Sequence, residues 1–207
     1  VGTYTVNVYD IKYAPLVSNL AGDALTFHRG ESALVIDQDT QLTLTDRDVT
    51  SYNGGDLTVS IVANEIASED LLGFSTAGDV SLAGTTAGSN VSVDGVVVGT
   101  LGNNLSTGND LVVNFGAAAS AATTQALLRA VTYRNIDPVT DPQPTRTVRF
   151  VVDDGDTGVT ENIDTTVNVI AFNNDGGLSA ASGVSEPAGL STDRDTSAEA
   201  LEVLDFT

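Results

Sequence analysis

Between Thr145 and Asp175 the chain reads TRTVRFVVDDGDTGVTENIDTTVNVIAFNND, and this stretch constrains the fold more than any other. Val148, Phe150 and Val152 alternate with Thr147, Arg149 and Val151, the period of a half-buried strand, and a second β-branched run covers Thr165 to Ile170. Two such runs separated by a short acidic interval form a β-hairpin. Its turn is Asp153-Asp154-Gly155-Asp156, and its second strand runs into Asn173-Asn174-Asp175. Carboxylates this close repel one another unless a cation neutralises them, and Ca²⁺ takes hard oxygen ligands from Asp and Asn side chains and loop carbonyls. The hairpin thus carries two candidate metal-facing ends. The same acids also serve as turn formers and keep a sheet protein soluble.

A copy of the closing strand stands near the start of the chain. Thr5-Val6-Asn7-Val8 is identical to Thr166-Val167-Asn168-Val169, and both pass into a polar, Asp-containing connector. Repetition in equivalent contexts is the mark of an array. The chain opens on Val1 and contains no Met, which reads as a segment of a longer polypeptide. Residues 1–9 then form the last strand of a preceding repeat or an exchanged strand, 10–175 the repeat itself, and 176–207 a linker and the start of a following repeat or another exchanged strand.

Twenty-eight acids against eight bases give a formal net charge of −20, spread along the sequence. Nucleic acid is excluded as a partner on electrostatic grounds. With Lys12 the single lysine, no basic face can be drawn for anionic lipid, and no apolar run is long enough for a membrane span. The absence of Cys removes disulfides, thiol catalysis and thiolate zinc sites. An acidic, Cys-free chain rich in Val, Leu, Ala, Thr and Gly fits a β-sheet protein of an extracellular or cell-surface setting, and equally a soluble protein of a halophile.

Residues 16–27 and 33–36 read as an interrupted first strand, broken at Gly22-Asp23 and His28-Arg29-Gly30. Asn53-Gly54-Gly55-Asp56 is a strong turn signal, after which Leu57, Val59 and Ile61 share one strand face. Residues 64–110 are the least regular, and small hairpins decorating a sandwich are expected there, with Asp94-Gly95 turning between Val93 and Val96. Ala117 to Ala130 is the helical candidate, with Ser120 or Thr123 as N-cap and Leu127 and Leu128 packing on the sheet. Residues 135–144 hold three of the five prolines and form a loop. A final short strand is expected over Leu201, Val203 and Phe206.

Taken together, NGGDLTVSIV, ATTQALLRAVTYRN, PTRTVRFVVDDGDTG and TTVNVIAFNND resemble the cadherin-like repeats of giant bacterial surface proteins and adhesins, which are similar in turn to the chondroitin-sulfate-proteoglycan repeat. The resemblance spans about Val17 to Asp175, and LLRAVTYRN with VDDGD is its most specific part. It implies an all-β fold: a Greek-key, Ig- or cadherin-like antiparallel β-sandwich with one short helix and an irregular hairpin insertion. It further implies calcium bound near the domain junctions. By residue, the resemblance places a DxD pair at Asp46 and Asp48, an acidic turn at Asp153, Asp154 and Asp156, and a linker at Asn173, Asn174 and Asp175. One departure stands out. The family usually carries Glu just before the Gly of the first strand, where this chain has Arg29.

Enzymatic alternatives find little support. Counting from Asp153, an EF-hand would need Glu where Asp164 stands, and Gly54-Gly55-Asp56 is never repeated in series as a calcium β-helix requires. His28 is the single His, there is no nucleophile-elbow motif, and the chain offers no Trp as a sugar platform. The expected function is therefore that of a non-enzymatic structural repeat of a large extracellular surface or adhesion protein, rigidified by calcium at its junctions. Its partners would be adjacent repeats of the same chain, neighbouring identical subunits or a cell-surface ligand. Two alternatives remain: a self-assembling extracellular fibre subunit using strand exchange, and a calcium-dependent carbohydrate- or protein-binding module.

Overall fold

A computed structural model describes Thr3 and residues 11–137 and 143–171. The expected hairpin is formed by its last two strands, Arg146–Asp153 and Ile163–Ile170, paired antiparallel with Arg146 opposite Val167 and Phe150 opposite Ile163. Alternate residues are buried along both: Arg146, Val148, Phe150 and Val152 on one, Ile163, Thr165, Val167 and Val169 on the other. Each of the large apolar side chains contributes about 1.5–3 kcal/mol by leaving water.

In chain order the strands are β1 (Leu16–Ser18), β2 (Ala24–His28), β3 (Leu34–Val35), β4 (Thr43–Thr45), β5 (Asp56–Ala63), β6 (Asp70–Phe74), β7 (Val80–Leu82), β8 (Asn90–Val93), β9 (Val96–Leu101), β10 (Leu111–Phe115), β11 (Val131–Asn135), β12 (Arg146–Asp153) and β13 (Ile163–Ile170). Among the described residues one helix, α1 (Ala121–Ala130), interrupts them. The fold is thus all-β apart from a short helix. An eight-stranded sheet has the order β2-β13-β12-β5-β10-β9-β8-β7; a three-stranded sheet, β3-β11-β6, and a two-stranded one, β1-β4, accompany it. Every pairing is antiparallel except β13 with β2. The layers meet over an apolar core in which Phe27 of β2 stands edge-on to Tyr133 of β11, 5.2 Å between ring centroids.

Helix α1 starts where its capping chemistry says it should. Ser120 is the N-cap, its hydroxyl accepting from Thr123 N–H, while the Thr123 hydroxyl accepts from Ser120 N–H. Leu127 and Leu128 are buried, as the sequence led us to expect, against β4, β7 and β8.

Two expectations are corrected. The interrupted first strand is three strands, β1, β2 and β3, which enter three different sheets. Residues 64–110 do not decorate the sandwich. Asp94-Gly95 does turn β8 into β9, with φ of 51° and 77°. Yet β7, β8 and β9 continue the large sheet past β10, and Val80, Val91, Val93, Val98 and Leu101 lie in the core. Short β-branched runs separated by Gly look peripheral in sequence, but each supplies one or two buried residues to a continuous face. Val1–Tyr9, apart from Thr3, and residues 172–207, with the final strand expected there, lie outside the described residues.

The described chain enters and leaves this unit at opposite ends. Tyr13 N–H donates to Asp48 and Lys12 pairs with Asp156, so the entering segment lies by the Asp153 end of β12. β13 runs antiparallel to β12 and so ends, at Ile170, beyond Arg146 at the other extremity. Eight residues of strand separate the two ends of β12 by roughly 25 Å.

Candidate metal centre

The chain between β12 and β13 is shaped around one side chain. Asp154 is 1 % exposed. Its Oδ1 accepts from the N–H of Asp156 (2.7 Å) and of Gly158 (3.1 Å), and its own N–H donates to Gly158 O at 3.0 Å. These bonds close an Asx-type turn and commit one carboxylate oxygen. The other, Oδ2, is buried and has no hydrogen-bond partner.

Asp46, directly after β4, repeats the arrangement. Its Oδ1 accepts from Asp48 N–H (3.3 Å) and Val49 N–H (3.5 Å), and its Oδ2 is buried without a partner. The buried Tyr52 hydroxyl faces the Asp46 carboxylate, although neither it nor Asp46 Oδ2 has a partner at full hydrogen-bond distance. Burial, then the Asp46 carboxylate and the charges of Asp154 and Asp48, push the Tyr52 phenol well above its ordinary value, so all three carboxylates act electrostatically on this hydroxyl. Burial also lifts the Asp154 carboxyl; the N–H donors of Asp156 and Gly158 oppose this, and the negative charges of Asp46 and Asp153 add to it.

A backbone oxygen joins them. A Cβ on Gly158 would stand 2.5 Å from Tyr13 O and collide with Asp154 Oδ2, so the absence of a side chain there lets these two oxygens pack directly against the glycine. Asp48 Oδ2 holds Tyr13 N–H at 2.8 Å, and the Arg47 guanidinium lies 4.9 Å over the Tyr13 ring. The DxD pair therefore does two jobs: Asp46 acts on the buried Tyr52 hydroxyl and Asp48 fixes the entering segment at Tyr13.

The remaining expected ligands divide. Asp153 Oδ1 accepts from Gly155 N–H at 2.8 Å and braces the turn; Asp156 pairs with Lys12. Asn173, Asn174 and Asp175 lie outside the described residues. Among the described residues no three His, Cys, Asp or Glu side chains converge into a complete metal set. The oxygens left over here, one on each of Asp46 and Asp154 and the Tyr13 carbonyl beside Asp154, are hard donors of the type Ca²⁺ takes. Tyr13, Tyr52 and Gly158 were not singled out from the sequence. Gly158 carried the only signal, a second glycine just after the acidic turn.

At the other end of the sheet His28, paired opposite Ile170, closes β2 as a strand-end residue. A separate cleft of about 490 Å³ opens between α1 and the ends of β7 and β8, lined among others by Gln41, Asp79, Val93, Asp94, Gln125 and Arg129. No helix among the described residues is long and apolar enough to cross a membrane. No family model, curated protein or solved structure matches the chain.

Proposed function

We propose that this chain is a non-enzymatic structural unit of a large extracellular surface or adhesion protein: a Greek-key, cadherin-like repeat whose junction is stiffened by calcium. The observation that carries the reading is the pair of buried, unpartnered oxygens on Asp46 and Asp154 beside the entering segment at Tyr13. A dehydrated carboxylate oxygen without a donor costs on the order of 1–3 kcal/mol or more, and a cation between two of them removes that cost.

When bound, Ca²⁺ supplies positive charge that links loop 46–48, turn 153–158 and the strand leading into β1. The protein's own groups do the rest. Asp48 and Lys12 hold the entering segment, Asp153 braces the turn, and Gly158, lacking a side chain, lets Asp154 Oδ2 and Tyr13 O approach one another. Entry and exit at opposite ends suit units strung head to tail. The Asn173-Asn174-Asp175 linker of one unit would add ligands to the next, and hinge freedom would fall.

Calcium titration by calorimetry, with thermal melts in Ca²⁺ and in EGTA, tests the reading. Saturation at 100 times Kd stabilises by about 2.7 kcal/mol. Asp46→Asn with Asp154→Asn should abolish both the heat and the shift; an undiminished response in that double variant would remove this spot from consideration. A second reading, a calcium-dependent carbohydrate- or protein-binding module, is favoured by the 490 Å³ cleft, whose size suits a small ligand. Binding on a glycan array, with loss on Gln125→Ala, would favour it over a spacer.

A further inference from the structure

At the end of the sandwich away from Asp154, one buried carboxylate, Asp70, and two half-buried ones, Glu69 and Asp137, are neutralised from within the chain. Asp70 and Arg146 are both 0 % exposed at the side chain, with Arg146 Nε 2.8 Å from Asp70 Oδ2 and Nη2 3.3 Å from Oδ1. Asp70 Oδ1 also accepts from Tyr133 Oη (2.6 Å) and Asn135 Nδ2 (3.1 Å), and Oδ2 from Ile66 N–H (2.7 Å). Asn135 Nδ2 reaches Glu69 Oε2 as well, at 3.3 Å. Beyond Glu69 lies Arg29, 1 % exposed, with Nη2 3.3 Å from Glu69 Oε2 and 2.7 Å from Asp137 Oδ2, and Nε donating to Asp137 O. Three acids and two guanidinium groups thus form one connected network. None of the four buried, unpartnered side-chain atoms found among the described residues belongs to it.

The two ends therefore meet one electrostatic problem in different ways. Near Tyr13, two carboxylates are left with bare oxygens. Here two buried arginines, Arg146 on an inward position of β12 and Arg29 in the turn just after β2, fill the gap with planar donors that several oxygens can share.

We propose that Arg29 and Arg146 are resident cations that make this end of the unit independent of calcium, Arg29 standing between Glu69 and Asp137 where a divalent ion would otherwise be needed. Loss of calcium then loosens one end of each unit and leaves the other formed, so compliance along a string of units is confined to the side by which the chain enters. The contrast between ends rests on the calcium reading above; the role of Arg29 does not.

The experiment uses the Asp46→Asn/Asp154→Asn background, which lacks the other end's bare oxygens. With Arg29 intact, Ca²⁺ should leave the melting temperature within about a degree. Adding Arg29→Glu should create a calcium response of several degrees, with heat of binding near one ion per chain, and Arg29→Gln, which only removes the positive charge, a weaker one. Folded Arg29 variants with no calcium response beyond their parent overturn the proposal, and Arg29→Gln decides it if Arg29→Glu does not fold. A parent that keeps a full calcium response defeats the assignment to Asp46 and Asp154, while the difference made by Arg29 still decides this proposal. Amide exchange of the unaltered protein adds an independent readout. Chelation should deprotect residues 12–14, 46–49 and 154–158 and spare 69–71 and 133–136; equal deprotection at both ends overturns the proposal.

Discussion

Gly158 folds back on Asp154 so closely that the Asp154 side chain both accepts from the Gly158 N–H and covers the face where a Cβ would sit. The contact decides how the acidic turn presents its oxygens. Gly158→Ala must displace the Asp154 carboxylate or the backbone at Tyr13 and Ala14, an overpacking that costs about 1–3 kcal/mol. The variant should melt lower in EGTA and lose most of its calcium-dependent shift. A normal calcium response in a folded Gly158→Ala protein would show that Asp154 Oδ2 is not where an ion sits.

The raised Asp154 carboxyl gives the metal-free protein a definite pH slope. A group whose folded pKa exceeds its unfolded value favours the fold when protonated. That stability is fully present below the ordinary carboxylate value of about 4 and is lost as pH rises through the raised one. In EGTA the melting temperature should therefore fall between mildly acidic and neutral pH, and Asp154→Asn should flatten that fall. Asp164, held below its ordinary value mainly by the hydrogen bond from Arg149, slopes the opposite way, but identically in both proteins, so the difference between them isolates Asp154. With Ca²⁺ present the ion favours the charged form, and the slope should reverse. Parallel pH profiles for the two proteins in EGTA would mean that Asp154 titrates normally.

What could be read from the sequence was whatever a local pattern dictates. The alternation of Val148, Phe150 and Val152, the Ser120/Thr123 cap and the Asp94-Gly95 turn each depend on neighbours a few residues away, and each is formed as expected. Pairings across the chain were not legible. Nothing near Ala24 says that β2 will lie parallel to β13, and nothing in the turn itself says that Asp154, rather than Asp153 or Asp156, will keep a bare oxygen. That choice depends on Gly158 and on Tyr13, more than a hundred residues away in sequence. The buried network left a clue that went unread: Arg146 falls in phase with Val148 and Phe150, on the inward face.

The strands from β7 to β9 should prove indispensable to folding. Leu101 is 1 % exposed and Val91 and Val98 are fully buried, so Leu101→Ala should cost about 2–5 kcal/mol in urea denaturation. Replacing residues 75–110 by a short Gly/Ser turn should abolish cooperative unfolding, because β10 would lose its hydrogen-bonded neighbour β9 and the core would lose the inward side chains of β7, β8 and β9. Retention of a sharp transition after that deletion would return the segment to the status of decoration.

Arg146 and Asp70 provide the strongest test of how the buried network is balanced. Removing one partner of a fully buried ion pair leaves an uncompensated charge, so Arg146→Met should destabilise by about 3–5 kcal/mol even though the methionine fills similar space. Adding Asp70→Asn removes that charge yet keeps an oxygen for the Tyr133 hydroxyl and the Asn135 amide. The double variant should then recover more than half of the loss, a coupling that chemical denaturation of the four proteins measures directly. Simple additivity of the two single costs would mean that Asp70 is compensated elsewhere and that Arg146 contributes packing alone.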